Sequence, residues 1–202
     1  MRIAKLTMLA ASAALVACSS DTSKGSLTFT IAESLFVLEA DNPAAGYVLL
    51  SSAKGNCAAV QQGIQPVQIG NTNYLLILLT QVDAQSYYAP LTNGTYNILD
   101  PSSGTGPAPP ALFGYSGIVE TDSACNATGA NATSGSATLS QLDTSDGGLS
   151  MLSYSGVYDG VEVSGSSQLT TCLTSVNTPQ ADAGTCVPCT GPGDGGACTI
   201  QL

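Results

Sequence analysis

Histidine and tryptophan are both absent from this sequence of 202 residues. Without histidine, none of the many serines has an imidazole to activate it as a nucleophile, and a zinc site loses one of its usual ligands. A serine–lysine pair would need Lys24 or Lys54, and neither lies in a matching motif. Without tryptophan, tyrosine alone would have to stack against sugars. The sequence therefore names no catalytic residue and predicts no cofactor.

Positive charge is also scarce. Four Lys and Arg residues stand against 14 Asp and Glu residues, which gives a formal net charge of −10. Binding to a phosphate backbone depends on Lys and Arg. A surface of this charge repels nucleic acid, so we exclude nucleic acid as a partner. The low content of charged residues, together with abundant small polar residues, is typical of exported β proteins and not of a disordered chain.

The first segment of the chain has the layout of a secretory signal peptide. Arg2 and Lys5 precede an apolar run, residues 6–17, which is shorter than the about 20 residues that a membrane-spanning helix needs. The run ends in Leu15-Val16-Ala17-Cys18, which resembles the lipobox of bacterial lipoproteins. The resemblance implies a diacylglyceryl group on the Cys18 thiol, cleavage before Cys18 and, because Ser19 follows, export to the outer membrane. The alternative is an ordinary signal peptide cut nearby, with Cys18 a spare thiol.

These signals divide the chain into four parts. Residues 1–17 are the predicted lipoprotein signal peptide, 18–26 a lipidated tether, 27–172 a β domain and 173–202 a tail rich in Cys, Gly and Pro. The predicted partner of the anchor is the lipid bilayer, reached through the acylated Cys18. Removing the signal peptide also removes Arg2 and Lys5, which makes the mature chain about two units more negative.

Six cysteines remain after Cys18 is set aside. They are Cys57, Cys125, Cys172, Cys186, Cys189 and Cys198. An even number in an exported chain indicates a disulfide framework, for which 15 pairings are possible. Three of the six lie in the β domain and three in the tail, so at least one bridge must join the two parts if all six are paired within the chain. Cys186-x-x-Cys189 also matches thiol oxidoreductases and half a zinc site, but the prolines and glycines around it favour structural disulfides.

Short apolar runs separated by turn residues predict strands along most of the β domain. Leu27, Phe29 and Ile31 alternate with threonines, as in a half-buried strand. Further strands are predicted at 35–38, 47–50, 74–79, 96–98 and 111–120, with a turn at 42–46, a short helix or irregular loop at 54–63 and an edge strand at 66–69. The fold class is therefore all-β: a single antiparallel β-sandwich or barrel-like domain of about eight or nine strands, with an irregular C-terminal tail that disulfides tie back.

The sequence Asp159-Gly160, between two alternating runs, predicts a type I′ hairpin. A two-residue loop there places Tyr158 opposite Val161 and Tyr154 opposite Gly165. Extending the pairing back across residues 143–148 places Leu139 opposite Leu152, so residues 136–171 form a three-strand meander. Its apolar face collects Leu152, Tyr154, Tyr158, Val161, Val163 and Leu169.

Acidic residues give the one candidate metal site. Glu120 and Asp122 are two residues apart and, with Asn126, could supply oxygen ligands to Ca²⁺. Residues 143–147 resemble part of a calcium loop but lack the alternating ligands and the closing Glu. Solvated turn and strand-end positions explain these residues better, because Asp favours such positions.

Four further patterns resemble uncharacterised lipoproteins of myxobacteria and their relatives. Besides the lipobox, the resemblance is carried by residues 93–98 (NGTYNI), 122–125 (DSAC), 134–139 (SGSATL) and 163–166 (VSGS), the last leading to Cys172. It implies a disulfide-stapled β domain and supplies no activity. It also favours a Cys125–Cys172 bridge, which leaves Cys57 to pair with the tail.

Two functions follow as hypotheses. The first is a non-catalytic envelope lipoprotein, anchored at the outer membrane, that binds an envelope or extracellular protein or glycan or has an adhesive or structural role. The second is a secreted hydrolase, for example one directed at glycans, that uses paired carboxylates and possibly calcium. A third hypothesis, thiol–disulfide exchange at Cys186 and Cys189, requires reactive thiols.

Overall fold

A computed structural model describes residues 30–40, 42–104, 106–175, 186–190 and 198–200, without the side chains of residues 42, 43, 45, 190 and 198–200. The predicted signal peptide, Cys18, the tether and the positions of Leu27 and Phe29 lie outside the described residues. No helix among the residues described is long and apolar enough to cross a membrane.

Strands dominate the structure, as the sequence predicts. They are β1 (Glu33–Glu39), β2 (Asn42–Ser51), β3 (Ala53–Lys54), β4 (Thr72–Val82), β5 (Gly94–Ile98), β6 (Ala111–Thr121), β7 (Ala127–Ser140), β8 (Leu149–Tyr158), β9 (Val161–Thr174), β10 (Cys189–Thr190) and β11 (Cys198–Ile200). One α-helix, α1 (Asn56–Gln61), and two 3₁₀ turns, Pro66–Gln68 and Pro101–Ser103, lie between them. Eight strands form a closed barrel in the order β1-β2-β4-β6-β5-β7-β8-β9, and β3, β10 and β11 form a separate small sheet.

The barrel closes by joining its first and last strands. β1 and β9 run parallel, with Leu35 opposite Thr170 and Glu39 opposite Thr174. β5 and β6 also run parallel, over residues 97–98 and 113–114. The predicted barrel-like all-β domain is therefore confirmed, but its sheet is mixed, because these two pairings interrupt an otherwise antiparallel order.

The C-terminal meander has the predicted register. Tyr154 lies opposite Gly165, and Leu139 lies opposite Leu152. Asp159 and Gly160 have φ angles of 48° and 79°, the positive values that a type I′ turn requires. Local turn chemistry fixes this part of the fold.

Side chains fill the interior of the barrel. Phe36, Tyr96 and Tyr158 are among its largest fully buried members. The Tyr158 hydroxyl is hydrogen-bonded to the Ser116 hydroxyl at 2.6 Å, and the Tyr96 hydroxyl donates to the carbonyl of Thr92 at 2.8 Å. Because the hydroxyls of Tyr96 and Tyr158 both have a partner, these two tyrosines add apolar area to the core at little polar cost.

Two local predictions are wrong. Residues 42–46, predicted as a turn, belong to β2, where Gly46 pairs with both Leu38 and Leu79. A Cβ at Gly46 would lie 2.5 Å from Cδ2 of Leu38, so this glycine permits close packing of a strand. Residues 66–69, predicted as an edge strand, contain the 3₁₀ turn that starts at Pro66, the position where proline's fixed φ favours such a turn.

The predicted disulfide pairing is also wrong. Cys57 is bonded to Cys172, and Cys125 to Cys186, so neither the favoured Cys125–Cys172 bridge nor a bridge from Cys57 to the tail is present. Cys172 is fully buried in an apolar cluster on the outside of the barrel, where Cys57 of α1 packs against it. The α-carbons of these two residues are 5.7 Å apart, within the range that a disulfide requires.

A bridge between the β domain and the tail is confirmed by Cys125–Cys186. Next to it, Val187 donates its N–H to the carbonyl of Gln68 at 2.8 Å, and its carbonyl accepts the N–H of Gly70 at 3.0 Å. Cys189 is also disulfide-bonded, whereas the side chain of Cys198 lies outside the described residues. The tail is therefore tied to the loops beside β4 by both covalent and hydrogen bonds.

The two ends of the barrel can be named by where the chain enters it. β1 begins at Glu33, opposite Ser51, the last residue of β2. We call this the entry end. β4 begins at this same end, where its Tyr74 pairs with Ser51. It ends at Val82, opposite Ala111. The Val82–Ala111 pair therefore marks the opposite end, which we call the far end.

Candidate binding loop at the far end of the barrel

The loop between β4 and β5 presents two exposed tyrosines at the far end. The Tyr87 side chain is 69% exposed and that of Tyr88 is 47% exposed. Tyrosine combines a large apolar ring with a hydroxyl that can form hydrogen bonds, and it is enriched where proteins meet their partners. These rings are the most exposed aromatic surface among the described residues.

Asp83 holds the first half of this loop in a tight turn. Its Oδ1 accepts the N–H groups of Gln85 and Tyr87, each at 2.9 Å. Its own N–H donates to the carbonyl of Tyr87 at 2.9 Å. Ser86 has a φ of 67°, a left-handed conformation, and donates its N–H to the carbonyl of Asp83 at 3.1 Å. The Tyr87 backbone is therefore fixed by a turn of the kind that Asp side chains stabilise.

The second half of the loop is fixed by β4 and by the core. Tyr88 forms a bridge with Val82, and Ala89 donates its N–H to the carbonyl of Gln81 at 3.0 Å. Leu91 is buried in the barrel core. Since both halves are anchored, binding through the tyrosines would cost little ordering of the backbone.

Acidic residues lie at both ends of the barrel, and several of them are at the far end. Glu39 ends β1, Asp83 starts the tyrosine loop, and Asp143 and Asp146 lie in the loop between β7 and β8. The Ser145 hydroxyl, followed by the Ser145 backbone N–H, donates to Asp143 and lowers the pKa of that carboxyl. Lys54 is the only Lys or Arg among the described residues, and it follows β2 at the entry end. The charge of the far end therefore favours a neutral or basic partner over an anionic polymer.

The candidate calcium ligands are occupied within a turn. Asp122 accepts the N–H groups of Ala124 and Asn126 on Oδ1, at 2.8 and 2.9 Å, and the Asn126 amide on Oδ2 at 2.7 Å. These bonds, led by that of the Asn126 side chain, lower the pKa of the Asp122 carboxyl. Glu120 is exposed on β6, opposite Asn73. Among the residues described, no group of three or more His, Cys, Asp or Glu side chains is placed to hold a metal ion.

A cleft of about 390 Å³ lies on the barrel wall where β1 begins, beside α1 and β9. Glu33 is the one carboxylate among the described residues that line it, and neither Glu120 nor Asp122 takes part. The Glu33 carboxylate accepts the backbone N–H of Asn56 at 2.8 Å and its side-chain amide at 2.6 Å. The Glu33 carboxylate thus fixes the start of α1. The described lining of the cleft supplies this one carboxylate, whereas a glycosidase uses two.

The Cys186-x-x-Cys189 motif does not form its own disulfide. Cys186 is bonded to Cys125, and Cys189 is bonded elsewhere. A thiol oxidoreductase cycles between a dithiol and a disulfide within the motif. The bond to Cys125 instead has the connectivity of a structural bridge.

Comparison with protein-family models, curated proteins and solved structures finds no match to this chain. The resemblance to myxobacterial lipoproteins therefore stays a prediction. No activity comes to this chain from a relative.

Sequence reasoning missed the tyrosine loop. Two adjacent tyrosines follow Asp83-Ala84-Gln85-Ser86, a polar stretch directly after the most apolar strand of the barrel. Asp followed by small and polar residues is a turn signal, and two aromatics just beyond it are candidates for exposure. The sequence alone leaves open whether those rings return to the core, because that depends on where the barrel closes.

Proposed function

We propose that the chain is a membrane-anchored envelope lipoprotein that acts as a non-catalytic binding module. The observation that carries this proposal is that the two ends of the barrel differ. The N-terminal segment joins the barrel at the entry end, whereas Tyr87 and Tyr88 lie on a fixed loop at the far end. A chain held at one end by a lipid presents the other end to its surroundings.

The anchor is the Cys18 thiol of the predicted lipobox. The eight residues 19–26 span at most about 27 Å when fully extended, so the barrel would sit close to its membrane. Two or more acyl chains hold a protein stably, at about 0.8 kcal/mol for each buried CH₂ group. The disulfides of the barrel agree with an oxidising compartment outside the cytoplasm.

The partner that fits the far end best is a protein with a basic surface. Tyrosine is among the residues that most often dominate protein interfaces, and acidic side chains at the same end of the barrel give charge complementarity to lysine and arginine. A neutral glycan stacked on the tyrosine rings is the other ligand that this surface allows.

Metabolic labelling with a fatty-acid analogue tests the anchor. We expect the full-length protein to incorporate the label and the Cys18→Ala variant to lose it completely, since the thiol is the acceptor of the diacylglyceryl group. Ser19→Ala is the matched control, because it alters the neighbouring residue and keeps the thiol. Equal labelling of the wild-type and Cys18→Ala proteins would refute the anchor.

Photo-cross-linking in the native envelope tests the binding loop. We expect a photoreactive phenylalanine analogue in place of Tyr87 to give at least about tenfold more adduct than one in place of Val67, because interface energy concentrates at few side chains. Val67 is the control, since its side chain is exposed in the 3₁₀ turn that follows α1. Mass spectrometry of the adduct separates a protein partner from a glycan. Equal yields from the two positions would contradict the proposal.

A further inference from the structure

Half of the outer edge of β9 has no paired strand among the described residues. β8 pairs with β9 from Val161 to Thr170, along one side of the strand. On the other side, β1 pairs only with residues 170–174. We call the outer side of residues 161–168 the open edge.

Hydrogen bonds show which backbone groups face the open edge. Thr171 donates its N–H to the carbonyl of Gly148, on the β8 side, whereas the carbonyl of Thr174 accepts the N–H of Ala40, on the β1 side. The register of β8 and β9 shows no shift, so this alternation continues along the strand. The N–H and C=O groups of the even-numbered residues, Glu162, Ser164, Ser166 and Gln168, therefore point to the open edge.

An open edge in an otherwise closed barrel is costly. Unpaired strand edges invite pairing with another chain, and natural proteins cover them. On the inner face of the same hairpin, Tyr154 and Val163 pack against the core but remain only partly buried. Within the described part of the chain, the site therefore has no strand to pair with and few apolar side chains to cover its inner face.

The chain just before β1 leads to this site. Ile31 and Gln168, the last residue of the open edge, line the same cleft. The Ser34 and Ser167 hydroxyls are hydrogen-bonded at 2.7 Å, so β1 still lies beside β9 at this point. The strand that the sequence predicts at residues 27–31 therefore leads into β1 next to the open edge.

A bend at Ala32 shifts the alternation of core-facing side chains by one residue. In β1 the even-numbered Phe36 and Leu38 face the core, whereas upstream the odd-numbered Ile31 packs against it. Ala32 donates its N–H to the carbonyl of Ser51, towards β2, although Ala40, also even-numbered, donates towards β9. Both observations show a one-residue shift of the alternation at 32–33, as in a β-bulge.

We propose that residues 27–31 dock on the open edge of β9 as a parallel strand that continues β1. Leu27 and Phe29 share the phase of Ile31, so their side chains cover the inner face beside Tyr154 and Val163. Thr28 and Thr30 face outwards. The edge hydrogen bonds give affinity, and the alternate apolar side chains fix the register, as in other cases of strand addition.

This docking would also set the direction of the tether. A parallel strand that runs back along β9 ends near the Asp159-Gly160 turn, so residues 18–26 would leave the barrel beside that turn. The orientation towards the membrane rests on the proposed Cys18 anchor. The docking itself does not.

Residue-resolved hydrogen–deuterium exchange of the full chain tests the docking. We expect the amides of Ser164 and Ser166 to exchange as slowly as that of Gly165, which faces β8. In Phe29→Asp, the amides of Ser164 and Ser166 should lose protection by about 100-fold or more, while the Gly165 amide stays slow and shows that the hairpin is intact. Thr28→Asp is the matched control: it adds the same charge on the outward face and should keep most of the protection.

Two results would overturn the proposal. One is fast exchange of Ser164 and Ser166 in the wild-type chain. The other is protection that Phe29→Asp leaves unchanged or that falls on dilution, since either would show that another strand, such as that of a second copy, covers the edge. The Cys18→Ala variant should keep the wild-type exchange pattern, so failure of the anchor and failure of the docking give different results.

Discussion

Replacing Cys57 and Cys172 together by alanine is expected to lower the free energy of unfolding by about 4–5 kcal/mol. The two residues are 115 positions apart, and the bond between them restricts most of the unfolded chain. A loop of this length gives close to the largest entropic effect that one disulfide supplies. Cys172 is also fully buried, so its removal disturbs the packing beneath α1.

Urea unfolding without reductant measures this loss. The matched comparison is the Cys125→Ala/Cys186→Ala variant, which removes the bond to the tail and leaves the bond across the barrel wall. Limited proteolysis should then cut the Cys125→Ala/Cys186→Ala variant first in its tail. In the Cys57→Ala/Cys172→Ala variant it should cut the barrel. A loss below about 1 kcal/mol for the Cys57 and Cys172 pair would contradict the assigned bridge, as would peptide mapping that joins Cys125 to Cys172.

Phe36→Ala is expected to cost about 3–5 kcal/mol, the range for removing a large aromatic side chain from a core. Phe36 is fully buried inside the barrel, on the strand that closes it. The neighbours are held by strand pairing on both sides of β1, so they cannot collapse freely into the cavity.

The control for Phe36 is an apolar residue on the outside of the same barrel. The Leu78 side chain in β4 is 43% exposed, and Leu78→Ala should cost less than about 1 kcal/mol. Thermal and urea unfolding of both variants, with disulfides intact, give the comparison. Similar losses for the two variants would show that the inner and outer faces of the barrel wall are wrongly assigned.

The parts of the fold that the sequence predicts are those fixed by neighbouring residues. The register of the meander follows from the Asp159-Gly160 turn, because a two-residue loop leaves one way to pair its flanking strands. The apolar run at residues 74–79 predicts β4, because a strand buried on one side and partly covered on the other tolerates few polar residues. The body-to-tail bridge follows from counting cysteines.

The parts that the sequence does not predict depend on distant contacts. The glycine at position 46 is typical of a turn. The close approach of the Leu38 side chain explains why a glycine lies within a strand here. The partner of Cys172 depends on where α1 settles on the outside of the barrel. The exposure of Tyr87 and Tyr88 likewise depends on the closure of the barrel, since the same two residues would suit a buried strand.

The parallel seam between β1 and β9 has a consequence for the synthesis of the chain. β1 is synthesised before β9, and its edge in this seam stays unpaired until the last strand of the barrel follows. The Cys57–Cys172 bond joins α1 to β9 close to this seam, so it can form once β9 is in place. Trapping free thiols at intervals after synthesis would time the closure directly, with Cys57 remaining reactive until Cys172 is in place.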